Sequence, residues 1–308
     1  MREKDLELVS LPYIFQQFLN AVQIISIYAL LTSAFVLLYG VTNRINLAFG
    51  AIAMWSAYVT IMMITLLLGL VNWPLVVVVI AGAGIALANT AALGFGLYRV
   101  VIQPLITQRS RAMLIATIAL AIILEETMRL INASKEKWLT PLFADPIRLL
   151  SSDVFPVQVT AMQITVVAIA FAVVAALILL MKWHSFGVYW RACSEDLTMA
   201  ALCGANIPLI LAGSFVLASA SAALAGTLIA LLYGSASFVM GTIIGLKTMF
   251  VAVIGGLRSL TGGLLAAIAL GLFETFWSAF LALEYRDVAA FCVLTLVLVL
   301  RPEGLRAR

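Results

Sequence analysis

Five ionisable side chains stand inside long apolar runs: Glu125, Glu126 and Arg129 in Met113 to Ile131, Lys247 in Phe238 to Leu257, and Glu274 in Thr261 to Leu283. A charge at the centre of a membrane-crossing helix costs about 2.5–3.5 kcal/mol on insertion scales, so each is a candidate for an ion pair, an ammonium contact, or a proton or sodium site. Glu125 and Glu126 have Arg129 one turn on, which allows an intrahelical ion pair; a gate or an ammonium contact is the alternative. Glu274 has no opposite charge in its own run; either it joins an interhelical hydrogen bond or it lines a path. The long stem of Lys247 suits snorkelling to an interface, with a path role as the alternative.

Chemistry of other kinds is not encoded. Gly241 to Thr248 looks like a phosphate loop, but its spacing is wrong and it lies in an apolar run, so the chain is not expected to bind ATP by that route. The single histidine, His184, follows Trp183 and has no nucleophile and acid arranged around it. Cys193, Cys203 and Cys292 stand alone, without a Cys-x-x-Cys pair, so no metal, cofactor or disulfide framework is expected.

Long apolar runs carry these residues. With 64% hydrophobic and 10% charged residues and a mean hydropathy of +1.15, a soluble globular domain is excluded. The expectation is an all-α polytopic membrane protein with eight or nine transmembrane helices and one domain, residues 1–308. The runs are Phe18–Tyr39, Ala51–Leu70, Pro74–Tyr98, Met113–Ile131, Val157–Met181, Ile207–Tyr233, Phe238–Leu257, Thr261–Leu283 and the short Val288–Leu300. Between the first two, Gly40 to Asn46 reads either as an interfacial turn or as the break of a discontinuous helix. Asn43–Tyr58 and Gly245–Ala267 share a basic residue and glycines near such a break, which suggests duplicated halves. Small residues at Ala218, Ala222 and Gly226, and at Gly255, Gly256, Gly262 and Gly263, permit close helix packing in lipid.

The net charge of +4 is spread over loops and reads as orientation, not as a nucleic-acid footprint. Arg99, Arg109 and Arg111, then Lys182, His184 and Arg191, then Arg258, then Arg301, Arg306 and Arg308 mark cytoplasmic segments, while the mixed-charge Asn132–Pro156 belongs outside. Parity puts the N-terminus outside and the C-terminus in the cytoplasm. Met1–Ser10 mixes both signs and lacks the basic start of a cleaved signal peptide, so the first span is expected to stay.

Between two apolar runs lies the loop at about 182–206. If His184–Asn206 is helical, Ala192, Asp196, Ala200 and Gly204 recur every fourth residue and form a narrow small-residue face beside Arg191 and Glu195. That face suits a docking partner; the alternative is an ordinary surface helix.

This stretch resembles the cytoplasmic coupling loop of permeases in the branched-chain amino acid ABC importer family. Tyr39-Gly40 with Arg44–Gly50, Gly245–Leu257, Glu274, Tyr285–Asp287 and Arg301–Leu305 follow that family's order and approximate spacing, covering most of the chain from Tyr28 onward. The resemblance implies a second permease subunit, two cytoplasmic ATPase subunits, an extracytoplasmic solute-binding protein, an amino-acid substrate and a bacterial inner membrane. It implies ATPase coupling through Phe186, Gly187, Arg191, Ala192, Asp196, Ala200 and Gly204. A translocation path would involve Asn43, Asn46, Phe49, Gly50, Gly255, Gly256 and Glu274.

The chain departs from the pattern at Phe49, where many relatives carry histidine, and at Ala51, where an acid is frequent. The less polar segment leaves a leucine-like amino acid, another amino acid, or a neutral amide such as urea open as ligand. An ion-coupled secondary transporter using Glu125, Glu126 or Glu274 is the competing class; an intramembrane enzyme or a scaffold is disfavoured by the absence of a catalytic pair and by the intramembrane acids.

Overall fold

A computed structural model describes residues 11–300 except 107–109, 141, 144 and 151–155. Helices α1 (Leu11–Thr42), α2 (Phe49–Leu70), α3 (Leu75–Leu97), α4 (Ser110–Ile131), α5 (Ala161–Trp183), α8 (Ile207–Tyr233) and α10 (Leu260–Phe280) are the long ones. The short helices α6 (Ser185–Glu195) and α7 (Leu197–Leu202) lie between α5 and α8, while α9 (Met240–Gly255) and α11 (Arg286–Leu300) flank α10. Beyond Leu97 the chain continues through a π-helical turn, Tyr98–Ile102, and one further turn, Gln103–Leu105.

Among the described residues, six helices are long and apolar enough to cross a membrane: α1, α2, α3 with its extension, α5, α8 and α10. Helix α4 has the length but carries Arg111, Glu125, Glu126 and Arg129. Helix α9, at 16 residues, rises about 24 Å, less than the roughly 30 Å of a hydrocarbon core. Together with α11, these give nine helices of membrane type among the described residues.

Burial shows how the bundle is layered. Helix α1 is its axis, with 89% of its most apolar window buried, whereas the corresponding values for α3 and α5 are 22% and 28%. On α5 only Met162, Val166, Ala170, Val174, Leu177 and Met181 are buried, a single stripe at helical spacing, yet the exposed remainder is just as apolar. Exposed apolar surface of that extent on a folded chain means a lipid solvent. The bundle is an integral membrane protein.

Several boundaries differ from the sequence expectation. Val157–Thr160 is a strand, β3, paired antiparallel with β2 (Pro146–Leu150). The span starts at Ala161 because Thr160 and Gln163 form a capping box, each side chain satisfying the other's backbone N–H. A second small pairing joins β1 (Lys137–Trp138) to β4 (Ser235–Ala236). The expected break at Gly40 starts three residues later: α1 runs through Thr42, and Asn43 takes φ +49°, the left-handed region that asparagine tolerates better than most residues.

Hydrogen bonds sort the connections into two ends. Leu139 N–H donates to Gly234 O (2.8 Å), Gln16 Nε2 to Gln158 O (3.0 Å) and Tyr13 Oη to Ala279 O (3.1 Å), gathering the β segments, the start of α1 and the end of α10. At the opposite end Arg44 donates to Leu105 O (3.1 Å), Tyr98 Oη to Pro208 O (3.3 Å) and Arg258 to Asn43 Oδ1 (2.7 Å). The two breaks compared as possible repeats, one around Asn43 and the other around Arg258, therefore touch directly.

Candidate functional site

Two of the intramembrane charges expected to act separately, Lys247 and Glu274, do not. Lys247 Nζ lies 2.6 Å from Glu274 Oε1 on α10 and 2.9 Å from Asp287 Oδ1 at the start of α11. Tyr28 of α1 donates its hydroxyl to the other Glu274 oxygen at 2.9 Å, and Arg286 Nε reaches Asp287 at 3.2 Å. The side chains of Lys247 and Glu274 are 4% and 3% exposed, against 39% for Asp287, so the cluster grades from a sealed interior to an accessible edge. Lys247 thus points into the bundle instead of snorkelling outward. The reason is energetic: a buried carboxylate needs a cation and further donors, and Glu274 finds both.

This cluster borders a partly open cavity of about 240 Å³ whose other walls include Ile24, Ile27, Leu31, Ile243 and Ile244. The polar pole carries two cations and two anions, and the remaining lining is mostly aliphatic. A buried ion pair is a poor stability device, since apolar replacements are often neutral or stabilising by about 1–4 kcal/mol. Ionisable groups that face a cavity at membrane depth are functional candidates by default.

Glu125 and Glu126 separate. Glu126 makes the expected intrahelical pair, 3.0 Å from Arg129 Nη1, but Glu125 accepts from Thr242 Oγ1 on α9 at 2.6 Å. The segment that resembled a phosphate loop, Gly241–Thr248, lies wholly within α9.

A second constellation occupies the end of the bundle that holds Asn43 and Arg258. Trp190 of α6, 4% exposed, donates its indole N–H to Leu37 O of α1 at 3.0 Å, and its ring covers Gly40 so closely that a Cβ there would overlap it. Asn43 accepts from Arg258 and donates to Ser194 O of α6 at 3.4 Å. One asparagine thereby joins the end of α1, the turn between α9 and α10, and the helix between α5 and α8.

The expected continuous small-residue face across this loop is not formed. Asp196 adopts an extended backbone, φ −151° and ψ 117°, and its carboxylate accepts from Thr198 N (2.7 Å) and Met199 N (3.1 Å), so it caps α7 and divides α6 from it. Ala192, Asp196 and Gly204 are exposed, while Ala200 is buried. Phe186 packs over Gly213, buried Gly187 abuts the Met181 carbonyl, and Arg191 bonds that carbonyl at 2.6 Å. The outward surface presents Trp183, Val188, Tyr189, Met199 and Leu202, large apolar groups between 44% and 78% exposed. Burial pushes the Cys193 thiol up, as expected for a small residue facing the bundle.

The residues expected along a path scatter. Asn46 is buried and its side chain accepts from Ala48 N at 3.0 Å, shaping the turn. Phe49 is 1% exposed and stacks edge-on against Phe35. A Cβ on Gly50 would strike the backbone of Gly241 and Gly245, and one on Gly255 would strike Gly262 and Gly263. Gly256 ends α9 at φ +95°. Of the set, only Glu274 borders the charged cavity. Tyr28, Arg286, Asp287, Trp190 and Ser194 were not singled out as site residues from sequence. The adjacent charges of Arg286-Asp287, just ahead of an apolar run, were the one available signal for the first group.

An axial helix enclosed by lipid-facing helices, a charge-lined cavity at membrane depth and a two-helix loop tied to the bundle's end define a membrane transport protein. The chain belongs to the family described as branched-chain amino acid transport system, permease component, which it matches over residues 17–299. It is 34% identical to the high-affinity branched-chain amino acid transport system permease protein LivH of Salmonella typhimurium, over 96% of each chain. It is also 34% identical to the corresponding protein BraD of Pseudomonas aeruginosa, over 95% of each. A solved structure, PsaBC from Streptococcus pneumoniae in complex with Fab, covers 96% of this chain and 94% of its own at 16% identity and a TM-score of 0.45.

Proposed function

We propose that this chain is the permease subunit of an ATP-driven importer for branched-chain or related amino acids in a bacterial inner membrane. It would pair with a second permease, take solute from an extracytoplasmic binding protein and be driven by two cytoplasmic ATPases. The observation that carries this reading is the α6–α7 loop, whose outward face exposes large apolar side chains among charged ones while its inward face is bonded to α1. In this reading the end holding Asn43, Arg191 and Arg258 is cytoplasmic, consistent with its basic residues, and the start of α1 faces outside. Family membership and the names of LivH and BraD support the substrate class.

ATPase closure would press on Phe186–Asn206 and switch the path between outward and inward access. Phe186, Gly187, Arg191, Asp196 and Ala200 hold the shape of the loop; Ala192 and Gly204 lie on its accessible side. Asn43 and Asn46 form the turn that receives the movement, and Glu274 belongs to the path itself. Phe49, Gly50, Gly255 and Gly256 shape the helix contacts around it.

The test is to co-express the chain with its genomic neighbours, purify it, and ask whether an ATPase co-elutes and drives leucine uptake in proteoliposomes. Gly204→Arg, at φ +87° with no atom within 4 Å of an added Cβ, should abolish co-elution while the bundle remains folded. Uptake driven by an ion gradient without any ATPase would end the importer reading.

A further inference from the structure

We propose that the cavity bounded by α1, α8, α9, α10 and α11 is a binding site for one zwitterionic α-amino acid with an apolar side chain, oriented by Lys247 and Glu274. The inference rests on the importer reading and adds a solute site within the permease itself. Its support is the composition of the walls. A charge of each sign, Lys247 and Glu274, lies at the sealed bottom, and a second pair, Arg286 and Asp287, lies at the accessible edge. Ile24, Ile27, Leu31, Ile229, Ile243 and Ile244 form the aliphatic part.

A solute with one ammonium and one carboxylate can replace the Lys247–Glu274 contact without changing the net charge of the site. Its carboxylate takes Lys247, its ammonium takes Glu274, and Asp287 retains Arg286. A net cation or anion would leave an uncompensated charge at membrane depth, which is why the site selects zwitterions. The volume of about 240 Å³ lies below the ~300–1,000 Å³ typical of sites for drug-sized ligands. That is room for a small amino acid. Tyr28 holds the second Glu274 oxygen and fixes the carboxylate's direction.

The assembled transporter, with its ATPases and binding protein in proteoliposomes, is assayed for ATP-driven uptake of radiolabelled leucine and alanine. Ile244→Phe fills the aliphatic wall and places no unpaired charge in the bundle. It is expected to lower the leucine-to-alanine uptake ratio at least fivefold. The double variant Lys247→Met/Glu274→Gln removes both buried charges together and is expected to raise KM for both amino acids at least tenfold, with the subunits still co-eluting. A merely structural cluster would lower uptake of both solutes equally in Ile244→Phe. An unchanged ratio in that variant, or a wild-type KM in the double variant, overturns the site while leaving the importer reading intact. A wild-type complex that takes up neither amino acid with ATP overturns both.

Discussion

Substituting Gly40 tests whether α6 is mechanically fastened to α1. A Cβ at this position would fall inside the benzene half of the Trp190 indole, and Trp190 is enclosed, so Gly40→Ala must push the ring and its helix outward. Overpacking of this kind costs about 1–3 kcal/mol. Displacement also lengthens the 3.0 Å bond from the indole to Leu37 O, a contribution of about 0.5–1.5 kcal/mol. The sum, about 1.5–4.5 kcal/mol, is enough to shift α6 locally without unfolding the bundle. In proteoliposomes the expected result is continued ATP hydrolysis with at least a tenfold loss of leucine uptake per ATP. Trp190→Leu removes the ring atoms that the added methyl would strike, so the two changes should be strongly non-additive, with Gly40→Ala costing little more in the Trp190→Leu background. If Gly40→Ala keeps wild-type coupling, or if the two effects simply add, the contact between Trp190 and α1 does not transmit movement.

Gly50→Ala should destabilise the bundle more than Gly204→Ala, because its methyl meets the α9 backbone at Gly241 and Gly245 whereas Gly204 has open space and only left-handed strain of about 1–2 kcal/mol; thermal unfolding of the purified chain gives the order. Asp196→Ala should remove the α7 cap, worth about 0.5–2 kcal/mol, and speed amide exchange at Thr198 and Met199, while Asp196→Asn retains most of it. In a Cys292→Ser background, a membrane-impermeant maleimide should label exposed Cys203 in inside-out vesicles but not in right-side-out cells. Buried Cys193, whose thiol is raised by burial and therefore supplies less thiolate at a given pH, should lag until the medium is well above the ordinary thiol range.

Composition and run length made the fold readable, since a lipid-embedded bundle needs apolar residues on every face and leaves few other architectures. Periodicity was less informative: α5 is apolar all round, so nothing in its sequence marks which stripe enters the bundle. Asp196 shows how a spacing argument fails. Residues four apart share a face only while the helix continues, and an aspartate with two free N–H groups just ahead of it favours capping over continuation. The charged cluster was half legible. Lys247 and Glu274 were visible as costly charges, but 27 positions separate them, and only the antiparallel return of α10 against α9 brings them together.

The same return connects the two constellations. Arg258 at the α9–α10 turn grips Asn43, and Glu274 lies 16 residues further along, about 24 Å at helical rise. Helix α1 runs beside this pair and contributes at both levels: Leu37, Gly40 and Asn43 toward the loop, and Tyr28 toward Glu274. Two chains of contact therefore join α6 to the charge cluster, one through α1 to Tyr28 and one through Asn43 and Arg258 to α10. Because Glu274 is held by Tyr28 on one oxygen and by Lys247 of α9 on the other, sliding of α1 against α9 beyond the reach of these side chains would break one of those bonds. Closely packed helices do not deform continuously, so such a bond is either made or broken. If the α6–α7 loop receives the ATPase stroke as proposed, the cluster stands where a loop displacement would switch the polarity of the cavity.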